Sequence, residues 1–230
     1  MVQLVLWDID HTLVATRGVG RELFGRAFRE VTGYQMREQA AVDGMTDATI
    51  FRETATLHGI DTDRADFERF ASVLAQEHLR HAPQIRERGH ALPGAAAALS
   101  GIASLTGVAQ TVVTGNVRGS AEIKLRVFGL DSQLDWSIGA YGEDDDERAQ
   151  LVRIALERAA AAGGNPVPPA DAVLIGDTPA DVKAGHANGV RIIAVATGRS
   201  NMDDLREAGA ETTLPNLADT EELLKLIAMP

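Results

Sequence analysis

Residues 4–13 read Leu4-Val5-Leu6-Trp7-Asp8-Ile9-Asp10-His11-Thr12-Leu13, the most informative stretch of the chain. Apolar residues fill consecutive positions before Asp8, a pattern typical of a strand buried on both faces of a parallel sheet. Asp8 and Asp10 follow at the end of that strand. In open α/β sheets, ligands bind just beyond the strand ends. Two carboxylates there call for a cation, and Mg²⁺ is a hard ion that prefers oxygen ligands.

Two later stretches share this arrangement. Residues 173–181, Val-Leu-Ile-Gly-Asp-Thr-Pro-Ala-Asp, form an apolar strand that ends in Gly176-Asp177, with Asp181 beyond it. Residues 111–116, Thr-Val-Val-Thr-Gly-Asn, form another apolar run, which ends in a hydroxyl, a glycine and an amide. The polar residues of all three stretches are therefore expected at the ends of strands.

The composition limits the class of protein. The chain has 230 residues, of which 45% are hydrophobic and only 4% aromatic, so its core is built mainly from aliphatic residues. This suits helices packed on a parallel sheet. There is no cysteine, which excludes disulfides, thiolate metal sites and a cysteine nucleophile. The net charge of −11 argues against general nucleic-acid binding, which requires lysine and arginine to neutralise phosphates.

No apolar stretch is long enough to cross a bilayer, and the amino terminus lacks the pattern of a signal peptide. We therefore expect no membrane association and a cytoplasmic location. The oligomeric state is left undetermined by the sequence.

The periodicity changes along the chain. From about residue 21 to residue 84, apolar residues recur at helical spacing with glycines between the helices. Afterwards strands and helices alternate. We predict one strand that ends at Thr114, a short strand at about 136–138, one that ends at Ile175 and a final strand at about 191–195. Alternating strands and helices predict an α/β fold, a Rossmann-like doubly wound parallel sheet with right-handed crossovers. The helical block interrupts it as an insertion.

Three motifs together resemble the haloacid dehalogenase superfamily, especially its magnesium-dependent phosphatases. They are Asp-x-Asp-x-Thr at 8–12, Thr-Gly-Asn at 114–116 and Gly-Asp-x-x-x-Asp at 176–181, in the order that the family has. The resemblance implies that the helical insertion is a cap over the active site. It predicts a catalytic core of residues 1–16 and 89–230, and a cap of residues 17–88, in a layout like that of phosphoglycolate phosphatases.

The resemblance also implies roles for the first motif. Asp8 is the expected nucleophile, because phosphoryl transfer asks mainly for positioning and charge neutralisation, and a carboxylate held in line can form an aspartyl-phosphate. Asp10 is the expected general acid and base, with its main-chain carbonyl as a metal ligand. Haloacid dehalogenases that need no metal lack this second aspartate, so Asp10 favours phosphoryl chemistry. Thr12 is expected to support Asp10 or the turn.

The other two motifs supply phosphate and metal contacts in this family. Thr114 and the Gly115 amide resemble its phosphate-binding pair, and glycine allows a close approach. Asn116 is expected to orient the nucleophile or the substrate. Asp177 is the predicted metal ligand beside Asp8 and Asp10. Asp181 is predicted to hold Asp177 in place without binding the metal itself. An aspartate in the first turn of a helix capped by Thr178 has a purely structural explanation as well.

The family's basic catalytic residue has two candidates in this chain, because the usual Lys-Pro is absent. Arg148, at the predicted start of a helix, offers a planar and permanently charged group. Lys124, on the helix that follows Thr-Gly-Asn, is the alternative, as a ligand of the transferring phosphate. The sequence leaves the choice open.

The sequence thus predicts a Mg²⁺-dependent phosphatase for a small phosphorylated metabolite, with an aspartyl-phosphate intermediate. A phosphosugar mutase of the same superfamily is the first alternative, since it forms the same intermediate and returns the phosphoryl group to its substrate. A non-catalytic phosphate-binding or regulatory protein is the second. The cap is expected to decide the substrate.

Overall fold

The computed structural model of the chain describes residues 3–228 and contains one five-stranded sheet and one two-stranded sheet. The strands are β1 Leu4–Trp7, β2 Val14–Ala15, β3 His90–Ala91, β4 Ala109–Val112, β5 Ala172–Gly176, β6 Arg191–Val195 and β7 Thr212–Leu214. The helices are α1 Val19–Thr32, α2 Asp47–Leu57, α3 Arg64–Arg80, α4 Ala82–Arg88, α5 Ala95–Ala103, α6 Arg118–Val127, α7 Arg148–Gly163, α8 Pro179–Asn188, α9 Met202–Glu207 and α10 Thr220–Ala228.

The large sheet is parallel, with strand order β4-β1-β5-β6-β7. Its register aligns Trp7 with Val112 on one side and with Ile175 on the other. The three strands that carry the sequence motifs are therefore neighbours, and they end at the same edge of the sheet. This places the residues that follow them next to each other.

Helices cover both faces of this sheet. Val5 and Trp7 pack on one face with apolar residues of α5, α6 and α10. Leu4 and Leu6, which point the other way along the same strand, pack with α7, α8 and α9. Because successive side chains of a strand alternate between faces, a continuous apolar run is what a doubly covered strand requires. The predicted doubly wound fold is confirmed.

Helices α1–α4 form the insertion between β2 and β3, and we call them the cap. Their core is a cluster of phenylalanines, in which the rings of Phe51 and Phe70 stack with centroids 4.5 Å apart. The same apolar cluster includes Val117 at the start of α6. The cap therefore packs against α6 of the core and is also connected to the core through the paired strands β2 and β3. The boundaries at residues 17 and 88 stay our prediction.

Two strand predictions were wrong. Residues 136–138 form no strand, because the Asp135 side chain accepts hydrogen bonds from the amide and hydroxyl of Ser137, a local turn that competes with a ladder. A single bridge from Ala140 to Val113 takes its place. The last strand is β7 rather than β6; its three half-buried residues are too few to show a period.

Within residues 3–228, no helix combines the length and the apolar character needed to cross a membrane.

Candidate active site

The carboxyl ends of β1, β4 and β5 bring the three sequence motifs together. The Asp8 amide donates to the Ile175 carbonyl at 2.9 Å, so β1 and β5 stay paired up to the first motif residue. The Val113 amide donates to the Trp7 carbonyl at 2.8 Å, which holds the second motif beside the first. Each motif then leaves the sheet as a loop, and the polar side chains of these loops meet.

Three buried aspartates form one half of the site. Carboxylate oxygens of Asp8, Asp177 and Asp181 all lie within 4.8 Å of one another. Burial, opposed by Arg148, raises the pKa of Asp8 to about 6. Burial, followed by the charges of Asp8 and Asp181, raises the pKa of Asp177 to about 9. Burial is the larger cause of both shifts, and the neighbouring carboxylates add to it.

Arg148 is the cation of this half. Its guanidinium is buried and lies 2.5 Å from Asp8 Oδ1, while its Nε donates to Asp181 Oδ1 at 2.6 Å. Burial alone would lower the pKa of Arg148, but the charges of Asp181 and Asp8 raise it above the ordinary value. A planar guanidinium can bond two carboxylates at once, which a lysine ammonium does less well. Arg148 therefore ties the first motif to the third.

Asp181 has a structural and a positioning role together. Thr178 caps α8 by accepting a hydrogen bond from the Asp181 amide, and Asp181 Oδ2 accepts in return from the Thr178 amide and hydroxyl. Its Oδ1 accepts from Arg148. Both oxygens of Asp181 are thus engaged by protein donors. This supports the prediction that Asp181 stands behind a metal ligand, and the N-cap predicted at Thr178 is confirmed.

Asp10 belongs to a separate half of the site. Its Oδ2 accepts from Lys124 Nζ at 2.6 Å and from Asn116 Nδ2 at 2.8 Å. Lys124 also donates to Asn116 Oδ1, and Asn116 Nδ2 reaches the Thr114 hydroxyl at 2.7 Å. Burial would raise the pKa of Asp10, but the charge and hydrogen bond of Lys124 keep it below its ordinary value.

Lys124 and Arg148, which the sequence presented as alternatives, both reach the site. They do so because α6 and α7 pack on opposite faces of the sheet, so their side chains arrive from opposite sides. Each bonds a different aspartate of the first motif. The Asp10 carboxylate is not part of the acidic cluster, and its predicted metal contact through the main-chain carbonyl stays a prediction.

Thr12 is buried between the acidic residues rather than beside Asp10. Its hydroxyl lies 3.2 Å from Asp8 Oδ2 and 3.4 Å from Asp177 Oδ1, and can donate to either. Thr12 thus contacts the acidic cluster, while its amide donates to the Ile9 carbonyl at 3.3 Å within the turn, the second of its two expected places of support.

The cap reaches the site through residues 42–47, which we call the cap loop. Gly115 could not carry a side chain here, because a Cβ would lie 2.2 Å from the Met45 carbonyl oxygen. The Asp47 amide donates to the Gly115 carbonyl at 2.7 Å, and Asp47 Oδ2 accepts from the Val117 amide at 2.8 Å. Thr46 is the N-cap of α2, where its hydroxyl accepts a hydrogen bond from the Thr49 amide at 3.2 Å.

Asp47 is a site residue that sequence reasoning missed. Burial raises its pKa to about 6, while the charge of Lys124 opposes that rise, so its carboxylate lies in the electrostatic reach of the Asp10 half. In the sequence it is one acidic residue in the first turn of a helix, a common position with a local explanation. Only the seating of the cap loop on Gly115 distinguishes it.

The residues present fit Mg²⁺. Hard cations of this kind bind through carboxylate oxygens, and the cluster offers those of Asp8 and Asp177. Arg148 engages Asp8 Oδ1, whereas Asp8 Oδ2 and Asp177 Oδ1 make the longer contacts with the Thr12 hydroxyl, at 3.2 and 3.4 Å. Burial first, and then the charges of Asp8 and Asp181, raise the pKa of Asp177, and a bound cation would offset this repulsion. Asp8 and Asp177 would therefore hold the ion, with Asp181 and Thr12 fixing them.

Solved structures with the same fold span nearly the whole chain. A hydrolase from Pseudomonas syringae has a TM-score of 0.70 at 18% identity, with all of both chains covered. A predicted phosphoglycolate phosphatase from Haemophilus somnus has 0.67 at 15%, covering 97% of this chain and 98% of its own. A protein provisionally described as a β-phosphoglucomutase from Thermotoga maritima has 0.63 at 20%, covering 98% and 99%. At these identities the likeness shows the fold alone.

Sequence comparison gives the family. No curated protein matches the chain. The family model of haloacid dehalogenase-like hydrolases matches residues 5–186, a range that contains every aspartate of the site from Asp8 to Asp181. The match covers well over half of the chain, and the parallel sheet with its motif-bearing strand ends agrees with it. The chain therefore belongs to the haloacid dehalogenase-like hydrolase family.

Proposed function

We propose that this hydrolase is a Mg²⁺-dependent phosphatase that cleaves a small phosphorylated metabolite through an aspartyl-phosphate on Asp8. The observation that carries the proposal is that the two aspartates of the first motif bond different cations. Asp8 is buried against Arg148, whereas Asp10, two residues later, bonds Lys124 and Asn116. Two carboxylates in different environments suit two different roles.

In this mechanism the phosphoryl transfer is in line. Asp8 would attack phosphorus while the Thr114 hydroxyl and the Gly115 amide hold the phosphoryl oxygens. Arg148 would stabilise the negative charge that spreads over those oxygens in the transition state. Mg²⁺, when bound by Asp8 and Asp177, would supply further neutralisation of the same charge.

Asp10 would handle the protons of both steps. In its protonated state it donates to the leaving oxygen as the bond from that oxygen to phosphorus breaks. Ionised, it takes a proton from the water that attacks the phosphoryl group, which releases inorganic phosphate and regenerates Asp8. Lys124 and Asn116 favour the ionised state, which the second step uses. The first step requires Asp10 to take up a proton from solvent when the anionic ester binds.

A mutase of the same family is the second candidate. The observation that favours it is the close seating of the cap loop, where Met45 leaves no room for a side chain at Gly115. A cap that closes this tightly over the phosphoryl site would exclude water, and an aspartyl-phosphate shielded from water can return its phosphoryl group to a substrate. The two functions share Asp8 and differ in the fate of the intermediate.

The test is release of inorganic phosphate from a panel of small phosphate esters, with Mg²⁺ or with EDTA. We expect Mg²⁺-dependent release by the wild type and its loss in Asp8→Asn. Asp203→Asn, at an exposed carboxylate of α9 paired with Arg206, is the matched control and should keep full activity. Undiminished release in EDTA, or an active Asp8→Asn variant, would refute the mechanism. Phosphate trapped on Asp8 without release would favour the mutase.

A further inference from the structure

The cap loop lies where the organic part of a substrate must go. In an in-line transfer, the leaving oxygen is opposite the attacking atom. Asp8 attacks from the end of β1, so the ester's leaving group points away from the sheet and toward the cap. The residues that meet it there belong to the cap loop, whose Met45 carbonyl and Asp47 amide lie directly on Gly115.

We propose that Asp47 determines specificity, and that it makes the enzyme select monophosphate esters of neutral or cationic alcohols over esters that carry a second anionic group. This inference rests on the proposed phosphatase function and names the substrate class of the same site. Asp47 is fixed at this position by two hydrogen bonds to the core, one from its amide to Gly115 and one to its carboxylate from Val117.

The cations around the site already have carboxylate partners. Lys124 is engaged by Asp10 and Asn116, and Arg148 by Asp8 and Asp181. At the rim of the cap loop, Arg199 of the core lies 3.0 Å from Asp43. Because these cations already have partners, they are not available to a second anionic group of the substrate. Arg148 and a metal ion would stabilise the reactive phosphoryl group.

The acidic residues near the cap loop act in the same direction. The charge of Asp47 contributes to a raised pKa of Glu143, whose carboxylate caps α6 at the Arg118 amide and whose chief perturbation is burial. A carboxylate or second phosphate on the substrate would therefore enter a field of like charge, which is a strong means of rejection.

His11 is the side chain that would work against this selection. It is exposed beside Asp10, and its charge when protonated contributes to the lowered pKa of Asp10. A protonated imidazole could attract an anionic group at the same mouth of the site. The experiment must therefore separate His11 from Asp47.

Three esters of matched length separate the effect of charge from that of size. They are 2-hydroxyethyl phosphate, 2-aminoethyl phosphate and phosphoglycolate, whose far ends are neutral, cationic and anionic. We expect wild-type kcat/KM for the hydroxyl and ammonium esters to exceed that for phosphoglycolate by about tenfold or more, which corresponds to about 1.4 kcal/mol. Asp47→Asn should narrow this ratio by about tenfold, because the amide can still accept from Val117 but carries no charge.

Asp61→Asn is the control, since it makes the same change in net charge at an exposed position between α2 and α3. It should leave the ratio as in the wild type. Comparing esters within one variant cancels any loss of folded protein. The proposal is overturned if phosphoglycolate is the best of the three esters, and His11→Gln would then show whether the imidazole binds it. It is also overturned if Asp47→Asn and Asp61→Asn give the same ratio. Failure to hydrolyse any ester with Mg²⁺ would instead count against the proposed phosphatase.

Discussion

Replacing Arg148 with methionine should destabilise the metal-free protein strongly at pH 8 and less at pH 5. Arg148 is buried between Asp8 and Asp181, with guanidinium-to-carboxylate distances of 2.5 and 2.6 Å. Methionine keeps much of the apolar volume and removes the charge. The variant then holds the carboxylates of Asp8, Asp177 and Asp181 together without the cation that joins two of them.

The size of the effect follows from burial. Removing one partner of a buried ion pair costs about 3–5 kcal/mol, because the remaining charge stays buried and unpaired. Burial already raises the pKa of Asp8 to about 6, and Arg148 opposes that rise. Without Arg148 the pKa of Asp8 is higher still, so below pH 6 Asp8 is protonated in both proteins and the difference between them is smallest. As the pH rises above about 6, Asp8 ionises first in the wild type, where Arg148 stabilises the charge, and the difference in stability grows toward pH 8.

Urea unfolding in EDTA at pH 5 and pH 8 measures this difference. Arg153→Met is the matched control, because Arg153 lies on the same helix and pairs with Glu157 while both side chains are more than half exposed. Exposed pairs at this spacing contribute about 0.3–0.5 kcal/mol, so the control should stay close to the wild type at both pH values. If Arg148→Met were as stable as Arg153→Met at pH 8, or if its loss did not depend on pH, the reasoning would be refuted.

Two further substitutions test the acidic cluster and the cap loop. Asp177→Asn should stabilise the metal-free protein as the pH rises toward about 9, because a folded-state pKa raised this far means that ionisation of Asp177 opposes folding. The same variant should lose both phosphate release and the rise in melting temperature on adding Mg²⁺, and a retained Mg²⁺ effect would contradict the assignment. Gly115→Ala should lower kcat/KM by about tenfold or more and cost about 1–3 kcal/mol in unfolding, because its Cβ must displace the Met45 carbonyl. Gly163→Ala, whose Cβ would meet no atom of a more distant residue within 4 Å, is the control and should change neither measurement by much.

Much of this fold could be predicted from local pattern. The apolar run before Asp8 indicated a strand with two covered faces, and it forms the second of five parallel strands with helices on both sides. Thr178-Pro179 predicted the start of α8, where side-chain and backbone donors within four residues complete the cap. Such features depend on residues that are near in sequence, so a single chain suffices to find them. The short strand β7 and the irregular segment after Asp135 lacked a usable period and were missed or misassigned.

The motifs predicted that Asp8 and Asp177 would meet, because parallel strands that end in motifs place them at one edge of the sheet. The sequence by itself could not decide the partners of Lys124 and Arg148. Those depend on α6 and α7 packing on opposite faces of the sheet, which sends one cation to Asp10 and the other to Asp8 and Asp181. Nor could it single out Asp47, whose proximity to the site arises from the contact of the cap loop with Gly115 across 68 positions of sequence. Contacts of this range are fixed by how the cap and the core pack, and only the tertiary structure contains that information.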